Sequence, residues 1–550
     1  MFSEFNLFQN LSIYLRQPEM EKWLAVWEVR FLALALLLLT LCLPALWKIF
    51  KTEWERLAAP TRRNLLLVIL LALALRLFLP PGDHRLFFDE DLYLNLGQNI
   101  SKLGLAQNSQ FGETFYGNYK NFTPYLNKET NGFPFLVSLI FSVFGVQESA
   151  VFLVLKILGG LMVIPVFGIG LLMFGESVGI WAALLFALLP LHIYWSASAS
   201  SEPACAFFAA WAVFLTLLMT RHRETALKIA AVAVLAFAIQ CRIEGVILVI
   251  PVLVILAVNP CKLKFSQLLG LGGLLLFLIF PYLLHFNYVR HMDWEASSGQ
   301  KMALRYVELN LGPNLQFFWA NRQFPLLYTL LLLLGILAGI NKYRLKNTFA
   351  LAVWALTFFI PYLFFYAGSY KWGVNVRFAV FLLAPLTVLA ASGLVRLLER
   401  LENIFPRARI STMALLVIFL QFIPLINQAR TPYEDCWDAR AEHRFVTEFC
   451  RELPENCFVV TSAPAVVLLT GKGAVETTAF TDELLKWMKN RRAQVYLLED
   501  YWSSFKTYRY AFLKVLRRYN FTPVKTLVLN TRVVRAYRLN YPVKAESDIR

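Results

Sequence analysis

Charged residues are scarce in this 550-residue chain: Asp, Glu, Lys and Arg make up 16% of it, whereas 58% of its residues are hydrophobic. A soluble protein carries about a quarter charged residues, so the composition excludes a soluble fold. Apolar runs as long as a membrane-crossing helix, roughly 17–25 residues, recur along the chain. We therefore predict a polytopic helical membrane protein.

Cysteine is also scarce, and the seven cysteines are too scattered for a disulfide scaffold. Three of them lie in or beside apolar runs and are expected to be inert: Cys42, Cys205 and Cys241. Three more cysteines lie in the C-terminal part, and one pair of them can be oxidised if this part faces an oxidising compartment: Cys436, Cys450 and Cys457. The first thirty residues are too polar and charged for a cleavable signal peptide.

The net charge of +17 comes from Lys and Arg that lie mostly in short linkers and in the C-terminal part. This pattern is typical of membrane topology and of contact with anionic lipids, so membrane lipids are expected partners and nucleic acid is not. The basic linkers 48–63, 221–228, 262–264, 342–346 and 396–409 are predicted to face the cytoplasm. About twelve spans between residues 31 and 427 then connect them.

The apolar segment 133–144 decides the sidedness. It is too short to cross a bilayer comfortably, so we interpret it as an interfacial helix on the outer surface. The number of spans between consecutive basic linkers is then even, as it must be if all these linkers face the cytoplasm. The N-terminus, the first long loop 81–150 and everything after residue 428 then lie outside the cytoplasm. The predicted domains are an N-terminal interfacial segment with an extra transmembrane helix (1–63), a transmembrane catalytic domain (64–428) and an extracytoplasmic α/β domain (429–550).

The last 120 or so residues read as a small α/β domain, because helical and strand patterns alternate there. ARAEHRFVTEFCREL, AFTDELLKWMKNR and KTYRYAFLKVLRRY read as helices, and CFVVTS and AQVYLLEDYW read as strands. TPVKTLVLNTRVVRAYRL reads as two strands with an Asn-Thr-Arg turn. The predicted fold class is therefore an all-α polytopic membrane bundle of about 12 transmembrane helices with a small C-terminal α/β soluble domain.

The stretch from Pro80 to Gly104 contains the most unusual acids. Asp89, Glu90 and Asp91 stand together at the predicted start of a helix, just outside an apolar run. Acids at this end of a helix complement its dipole. Three adjacent acids exceed what a cap needs, so both a dipole role and a chemical role stay open.

Other polar candidates fall on the same predicted outer side. Glu202 precedes Pro203 at a helix start, and Arg242 and Glu244 stand in a short turn where they can pair with each other or bind a ligand. Tyr370, Lys371 and Arg377 precede a late span, where a cation is either a membrane anchor or a phosphate ligand. His291, Asp293 and Glu295 alternate in one loop and, with Glu90, are weak candidates for a divalent metal site.

Outer-face chemistry has no access to cytoplasmic nucleotides, so an activated sugar donor must be anchored in lipid. Transfer from such a polyprenyl phosphate needs a carboxylate that takes a proton from the acceptor. It also needs cations that hold the phosphate and stabilise its developing charge. The outer acids and cations named above meet both needs.

The segments FFDEDLYLNLGQNISKLG, SASSEP, CRIEG and VRFAVFLLAP, in this order, resemble the GT-C superfamily of polyprenyl-phosphate-sugar glycosyltransferases. Within it, the chain is similar to the family shared by protein O-mannosyltransferases and the lipid A aminoarabinose transferase. The resemblance covers roughly residues 64–400. It implies a catalytic aspartate at Asp89 with Glu90 beside it, a second acid at Glu202 and a lipid-phosphate arginine at Arg377. Where relatives often have a Lys/His-Pro-Pro segment, this chain has Asn131 to Pro134, which leaves the sugar and the acceptor open.

We therefore predict an integral-membrane glycosyltransferase that moves a single sugar from a polyprenyl-phosphate donor to a lipid, glycan or protein acceptor on the extracytoplasmic face, most simply of a bacterial inner membrane. We expect an inverting mechanism that is either metal-free or assisted by a divalent metal ion as cofactor. The candidate residues are Asp89, Glu90 and Glu202 for catalysis, Arg377, Lys371, Tyr370 and Arg242 for the donor phosphate, and Glu244 and Tyr93 for the substrate pocket. The alternatives are a flippase for lipid-linked sugars or another polytopic transporter, and a non-catalytic scaffold.

Overall fold

A computed structural model of the chain describes residues 17–86, 89–259, 263–289, 300–340, 344–371, 374–404, 406–423, 426–430 and 437–540. The first part is a helical bundle. Its α-helices are α1 (Gln17–Arg56), α2 (Ala59–Phe78), α3 (Asp89–Leu103), α4 (Gly132–Phe144), α5 (Glu148–Leu161), α6 (Val163–Phe174), α7 (Glu176–Ala187), α8 (Pro190–Trp195), α9 (Ser201–Leu218), α10 (Thr225–Cys241), α11 (Val249–Val258), α12 (Phe265–Val289), α13 (Arg305–Ala320), α14 (Leu326–Gly339), α15 (Leu345–Phe364), α16 (Val380–Leu401), α17 (Arg407–Phe422) and α18 (Ile426–Arg430).

Among the described residues, six helical stretches are long and apolar enough to cross a membrane: Glu19–Arg56, Glu148–Phe174, Ser201–Leu218, Phe265–Val289, Leu345–Phe364 and Asn375–Leu401. Shorter apolar helices accompany them, among them Gly132–Phe144, the segment predicted to lie at the interface. The predicted membrane bundle is confirmed. The total of about twelve spans and the interfacial position of α4 stay predictions.

Several predicted spans differ in detail from the helices that form. Helix α1 runs without a break from Gln17 to Arg56, so the described part of the predicted interfacial segment continues directly into the first span. The predicted span 178–196 stops at Ala187, because Pro190 opens a new short helix and the residue before a proline avoids helical geometry. Two 3₁₀ helices, Ile243–Leu248 and Asn375–Ala379, lead into α11 and α16.

Helix α16 forms the centre of the bundle, and its most apolar window is entirely buried. It packs backbone to backbone against α14 through Gly335 and Gly393: a Cβ added at Gly335 would lie 2.0 Å from the Leu389 carbonyl oxygen. Small residues allow such close helix contacts in membranes. The 3₁₀ turn that carries Arg377 therefore leads directly into the most deeply buried of the six candidate spans.

The C-terminal part is an α/β layer. Its elements are α19 (Trp437–Glu452), β3 (Cys457–Thr461), α20 (Pro464–Leu469), β4 (Gly473–Glu476), α21 (Asp482–Asn490), β5 (Gln494–Glu499), a 3₁₀ turn (Trp502–Ser504), α22 (Lys506–Arg518), β6 (Phe521–Val528) and β7 (Val533–Leu539). Every helix and strand predicted here forms; the short α20 and β4 are additional. Cys450 and Cys457 are buried free thiols, and Cys436 lies outside the described residues.

The first outer loop contributes two strands to the same sheet, which the sequence did not indicate. β1 (Gln107–Phe115) and β2 (Asn118–Leu126) form a hairpin, and the seven strands take the order β2-β1-β4-β3-β5-β7-β6. β3 pairs in parallel with β4 and β5, and β1 joins antiparallel to β4 with Phe111 opposite Val475. The loop and the C-terminal part thus share one sheet, although the predicted domain limits assign them to different units.

Candidate active site

The three adjacent acids at the start of α3 point to three different surroundings. Successive residues of a helix are rotated by about 100°, so neighbours in sequence cannot share a face. Asp89 faces Arg377, Glu90 faces backbone amides, and Asp91 faces two histidines. The three acids are adjacent in sequence, but the helix directs their side chains to different surroundings.

Arg377 lies at the centre of the first group. Its Nη2 donates to Asp89 Oδ2 at 3.2 Å, and its Nε donates to Glu202 Oε1 at 2.7 Å. Glu202 is 1% exposed in the first turn of α9, followed by Pro203, which fits the first helical turn. A buried carboxylate needs such charged partners, so Glu202 and Arg377 hold each other in place.

Arg242 completes this group from the opposite side. It stands in an extended conformation between α10 and the next 3₁₀ helix, and its Nη1 donates to the same Glu202 oxygen at 3.0 Å. Its Nε and Nη2 donate to the two carboxylate oxygens of Glu244 at 3.1 and 3.0 Å, the bidentate geometry typical of arginine. The predicted Arg242–Glu244 pair therefore forms, and Glu202 links it to Arg377.

Aromatic side chains support both guanidinium groups. Arg377 and Arg242 lie 4.9 and 5.6 Å from the centroid of the Phe378 ring, within the range of cation–π attraction. The Tyr362 hydroxyl donates to Glu244 Oε1 at 3.2 Å. We call the set Asp89, Glu202, Arg242, Glu244 and Arg377 the arginine cluster.

Asp89 is the accessible member of the arginine cluster. Its side chain keeps 43% of its surface exposed, against 12% for Arg377 and 1% for Glu202. The protein that surrounds it raises the pKa of the Asp89 carboxyl above its ordinary value, while Arg377 opposes that rise. The arrangement presents one carboxylate to a substrate while the others hold the cations.

Glu129 belongs to the same site, although it was not among the residues selected from the sequence. Burial and the nearby Asp89 raise the pKa of the Glu129 carboxyl, and Arg242 opposes the rise. The Tyr93 hydroxyl lies 3.4 Å from Glu129 Oε2 and the same distance from Ser201 Oγ. Tyr93, a predicted pocket residue, therefore lies beside Ser201 at the edge of the arginine cluster.

Glu90 has structural contacts. It is completely buried, and its carboxylate accepts backbone hydrogen bonds from Arg85, from Leu86 at 2.9 Å and from Ala199 at 2.7 Å. These bonds tie the segment before α3 to the loop before α9. Glu90 therefore holds together the two loops that position Asp89 and Glu202.

The remaining predicted residues lie apart from the arginine cluster. The Tyr370 ring is buried next to Phe317 and Tyr362, and its backbone amide donates to Asn314 at 2.7 Å. Lys371 is exposed. The metal candidates His291 and Asp293, with Glu295, lie outside the described residues.

Asp91 belongs to a second group that sequence analysis missed. With His84, Glu148 and His443 it places four potential metal-ligand atoms within 4.8 Å of one another. We call these four residues the histidine cluster. A lone histidine in the polar part of an amphipathic helix, such as His443, carries no sequence signal that could have revealed it.

Residues 128–285 match the family model described as dolichyl-phosphate-mannose-protein mannosyltransferase. No curated protein sequence matches the chain. Solved structures with similar folds exist, and their low sequence identities make them evidence on the fold alone.

Three of these structures are glycosyltransferases. ArnT from Cupriavidus metallidurans has a TM-score of 0.54 at 13% identity, covering 86% of this chain and 97% of ArnT. The oligosaccharyltransferase AglB from Archaeoglobus fulgidus has a TM-score of 0.50 at 15% identity, covering 90% and 75%. The arabinofuranosyltransferase AftD from Mycobacteria has a TM-score of 0.50 at 13% identity, covering 88% and 42%. The resemblance found in the sequence is confirmed for the fold: this chain is an integral-membrane protein that shares the fold of these transferases.

Proposed function

We propose that the chain transfers one sugar from a polyprenyl-phosphate donor to an acceptor on the extracytoplasmic face, with Asp89 as the general base. The observation that carries this proposal is the pairing of an accessible Asp89 carboxylate with Arg377 at 3.2 Å. A base and a phosphate-binding cation at this separation suit a reaction in which an acceptor loses a proton while a phosphate leaves.

In the proposed step, an acceptor oxygen or nitrogen attacks the anomeric carbon of the sugar. The bond between that carbon and the phosphate oxygen breaks, and its electron pair leaves with polyprenyl phosphate. The acceptor proton moves to the Asp89 carboxylate. Attack from the side opposite the phosphate inverts the anomeric centre.

Proton transfer and phosphate departure are coupled through Arg377 in this scheme. While Asp89 is ionised, it shares the guanidinium of Arg377 with Glu202. When Asp89 takes the proton, its attraction for Arg377 weakens. The same step gives the leaving phosphate an extra negative charge, so Arg377 becomes available when that charge develops.

Glu202 acts here as a positioning residue. It is buried and bonded to both Arg377 and Arg242, so it fixes the distance between the two cations. Arg242, held from the other side by Glu244, presents a second positive group to the phosphate. Tyr370 and Lys371 precede Arg377 in sequence, and the exposed Lys371 is suited to the entering donor headgroup.

Two separate observations support a lipid-linked donor and an extracytoplasmic active site. An ArnT structure was solved with undecaprenyl phosphate and an AglB structure with dolichol-phosphate, and both proteins resemble this chain in fold. The basic linkers of this chain favour a cytoplasmic position, which puts loop 81–150 and the sheet outside. A bacterial inner membrane suits this arrangement.

The test uses the full chain in proteoliposomes with polyprenyl-phosphate sugars, the donor class being chosen from mass spectrometry of lipid that co-purifies. We expect release of polyprenyl phosphate by the natural protein and by a Glu55→Gln control, whose exposed carboxylate lies 3.9 Å from Lys51. Asp89→Asn should release almost none. Full activity of a folded Asp89→Asn protein, or movement of labelled lipid across the bilayer without its consumption, would refute the proposal.

A further inference from the structure

The histidine cluster joins four separate parts of the chain. His84 precedes α3, Asp91 lies in its first turn, Glu148 begins α5, and His443 comes from α19 in the C-terminal part. None of these contacts is needed by the proposed transfer reaction. The cluster is therefore a second polar site between the outer loop and the C-terminal sheet.

Its geometry brings two imidazoles face to face between two carboxylates. The rings of His84 and His443 stack with centroids 3.7 Å apart and planes inclined by 28°. The Nε2 atoms of both rings lie 3.3 Å from Glu148 Oε2. On the opposite edges, His443 Nδ1 and His84 Nδ1 lie 3.2 and 3.7 Å from Asp91 Oδ1.

Hydrogen bonding among the described residues leaves part of the cluster unsatisfied. His84 Nδ1, His443 Nδ1 and Asp91 Oδ1 are buried atoms without a hydrogen-bond partner there. His84 and Asp91 are each only 3% exposed. Buried polar atoms are normally satisfied, and both of these nitrogens lie within 3.7 Å of Asp91 Oδ1.

Neighbouring charged groups do not fill this need. Glu90 Oε2 lies 3.6 Å from His84 Nδ1, but it already accepts from the backbone amides of Arg85 and Leu86. Nearby, Arg440 pairs with Asp83, and Glu442 pairs with Arg532. A divalent cation attracts imidazole nitrogens and carboxylate oxygens together.

We propose that the histidine cluster is a zinc site, in which His84, His443, Asp91 and Glu148 bind one Zn²⁺ and fasten the C-terminal part to the first turn of α3. Two neutral imidazoles and two carboxylates match the charge of a divalent ion. Nitrogen and oxygen ligands of this kind suit zinc, and four protein ligands make a closed, structural site.

The distances agree with such a site after a small contraction. Tetrahedral zinc with bonds of about 2.0–2.2 Å keeps its ligand atoms roughly 3.4 Å apart, and the four atoms now lie within 4.8 Å of one another. A cavity of about 200 Å³, lined in part by His84, His443, Arg440 and Arg444, borders the cluster.

The site holds the helix turn that carries Asp89. Asp91 and Asp89 lie in the first turn of α3 but on different faces, so an ion on Asp91 restrains the backbone without contacting the substrate. His443 supplies the only ligand from beyond the bundle within this set. Zinc would therefore make the position of that turn depend on docking of the C-terminal part.

The experiment measures zinc on the full chain, purified in detergent through a tag that contains no histidine and equilibrated against buffered zinc. We expect about one zinc per chain, as a closed four-ligand site holds one ion. The near-isosteric variants His443→Gln and Glu148→Gln should retain roughly tenfold less. His222→Gln, which alters a histidine paired with Glu53 at 2.8 Å elsewhere in the bundle, should retain the full amount.

A second readout is independent of metal content. Cobalt substitution should give the visible absorption of tetrahedral Co²⁺ in the natural protein and in His222→Gln but not in His443→Gln. Zinc should also slow proteolysis of the C-terminal part in the natural protein and in His222→Gln but not in His443→Gln. A folded natural protein without stoichiometric zinc, or equal zinc in the cluster variants, would overturn the proposal; Asp89→Asn should keep its zinc whatever its transfer activity.

Discussion

The arginine cluster and the histidine cluster begin from the same three residues yet differ in chemistry. Asp89 opens one and Asp91 opens the other, on different faces of the first turn of α3. The first uses guanidinium groups, which stay charged and grip carboxylate or phosphate with a planar fork. The second uses imidazoles, which become metal ligands when neutral.

The two clusters also differ in access. Asp89 keeps 43% of its side-chain surface exposed, whereas His84 keeps 3%. An open carboxylate beside a fixed cation suits a substrate that comes and goes. A group of four potential ligands, two of them almost fully buried, suits a resident ion. The comparison teaches that proximity in sequence says little about shared function once a helix rotates neighbours apart.

Replacing Asp89 by Asn tests the arginine cluster most severely. The amide cannot accept the acceptor proton, so we expect transfer to fall by about a thousandfold, within the range found for general bases. The measurement is the initial rate of polyprenyl phosphate release at saturating donor. Zinc content serves as the control on folding, and a loss of activity accompanied by loss of zinc would join the two clusters rather than separate them.

Replacing Arg377 by Lys tests the cation that pairs with Asp89 and is proposed to bind the donor phosphate. Lysine keeps the charge but has no planar group that can donate hydrogen bonds to Glu202 and Asp89 at the same time. We expect transfer efficiency to fall by about ten- to a hundredfold, because a bidentate phosphate contact is lost. Rates measured against donor concentration should show an increased KM for the lipid donor; an unchanged KM would remove Arg377 from donor binding.

The residues of the arginine cluster could be predicted because each signal is local. All of them lie in predicted outer loops: Glu202 before Pro203, Arg242 and Glu244 in one turn, and Arg377 before a span. The pattern of basic linkers predicts that these loops lie on the same side of the membrane. Their convergence follows from topology. That Glu90 turns toward amides depends on loops far away in sequence, which no local pattern describes.

The histidine cluster and the sheet could not be predicted for a different reason. His84 and His443 are far apart in sequence, and each is an ordinary polar residue in its own segment. The hairpin of β1 and β2 is rich in Asn and Gly, and its link to β4 rests on the long-range pair Phe111 and Val475. Such pairings are decided by how the whole chain packs.

Replacing Glu90 by Gln separates the middle acid from its neighbours. The amide keeps the shape but loses the charge that strengthens three backbone hydrogen bonds, so we expect a loss of about 2 kcal/mol in stability. Thermal unfolding in detergent should report it as a lowered Tm. The rate per folded molecule should fall far less than in Asp89→Asn, and a comparable fall would instead make Glu90 part of the chemistry.

The pH dependence of transfer gives the smallest but most specific contrast. Asp89 acts as a base only when ionised, and partial desolvation by the surrounding protein raises the pKa of its carboxyl against the opposing effect of Arg377. Activity should therefore be present above this pKa and be lost as pH falls through it, at a higher pH than for a free aspartate of pKa about 3.9. Arg377→Gln removes the opposing charge, so the acidic limb of kcat/KM should move to still higher pH, whereas Arg377→Lys should leave it in place. An acidic limb that stays unchanged in Arg377→Gln would show that a group other than Asp89 limits the rate.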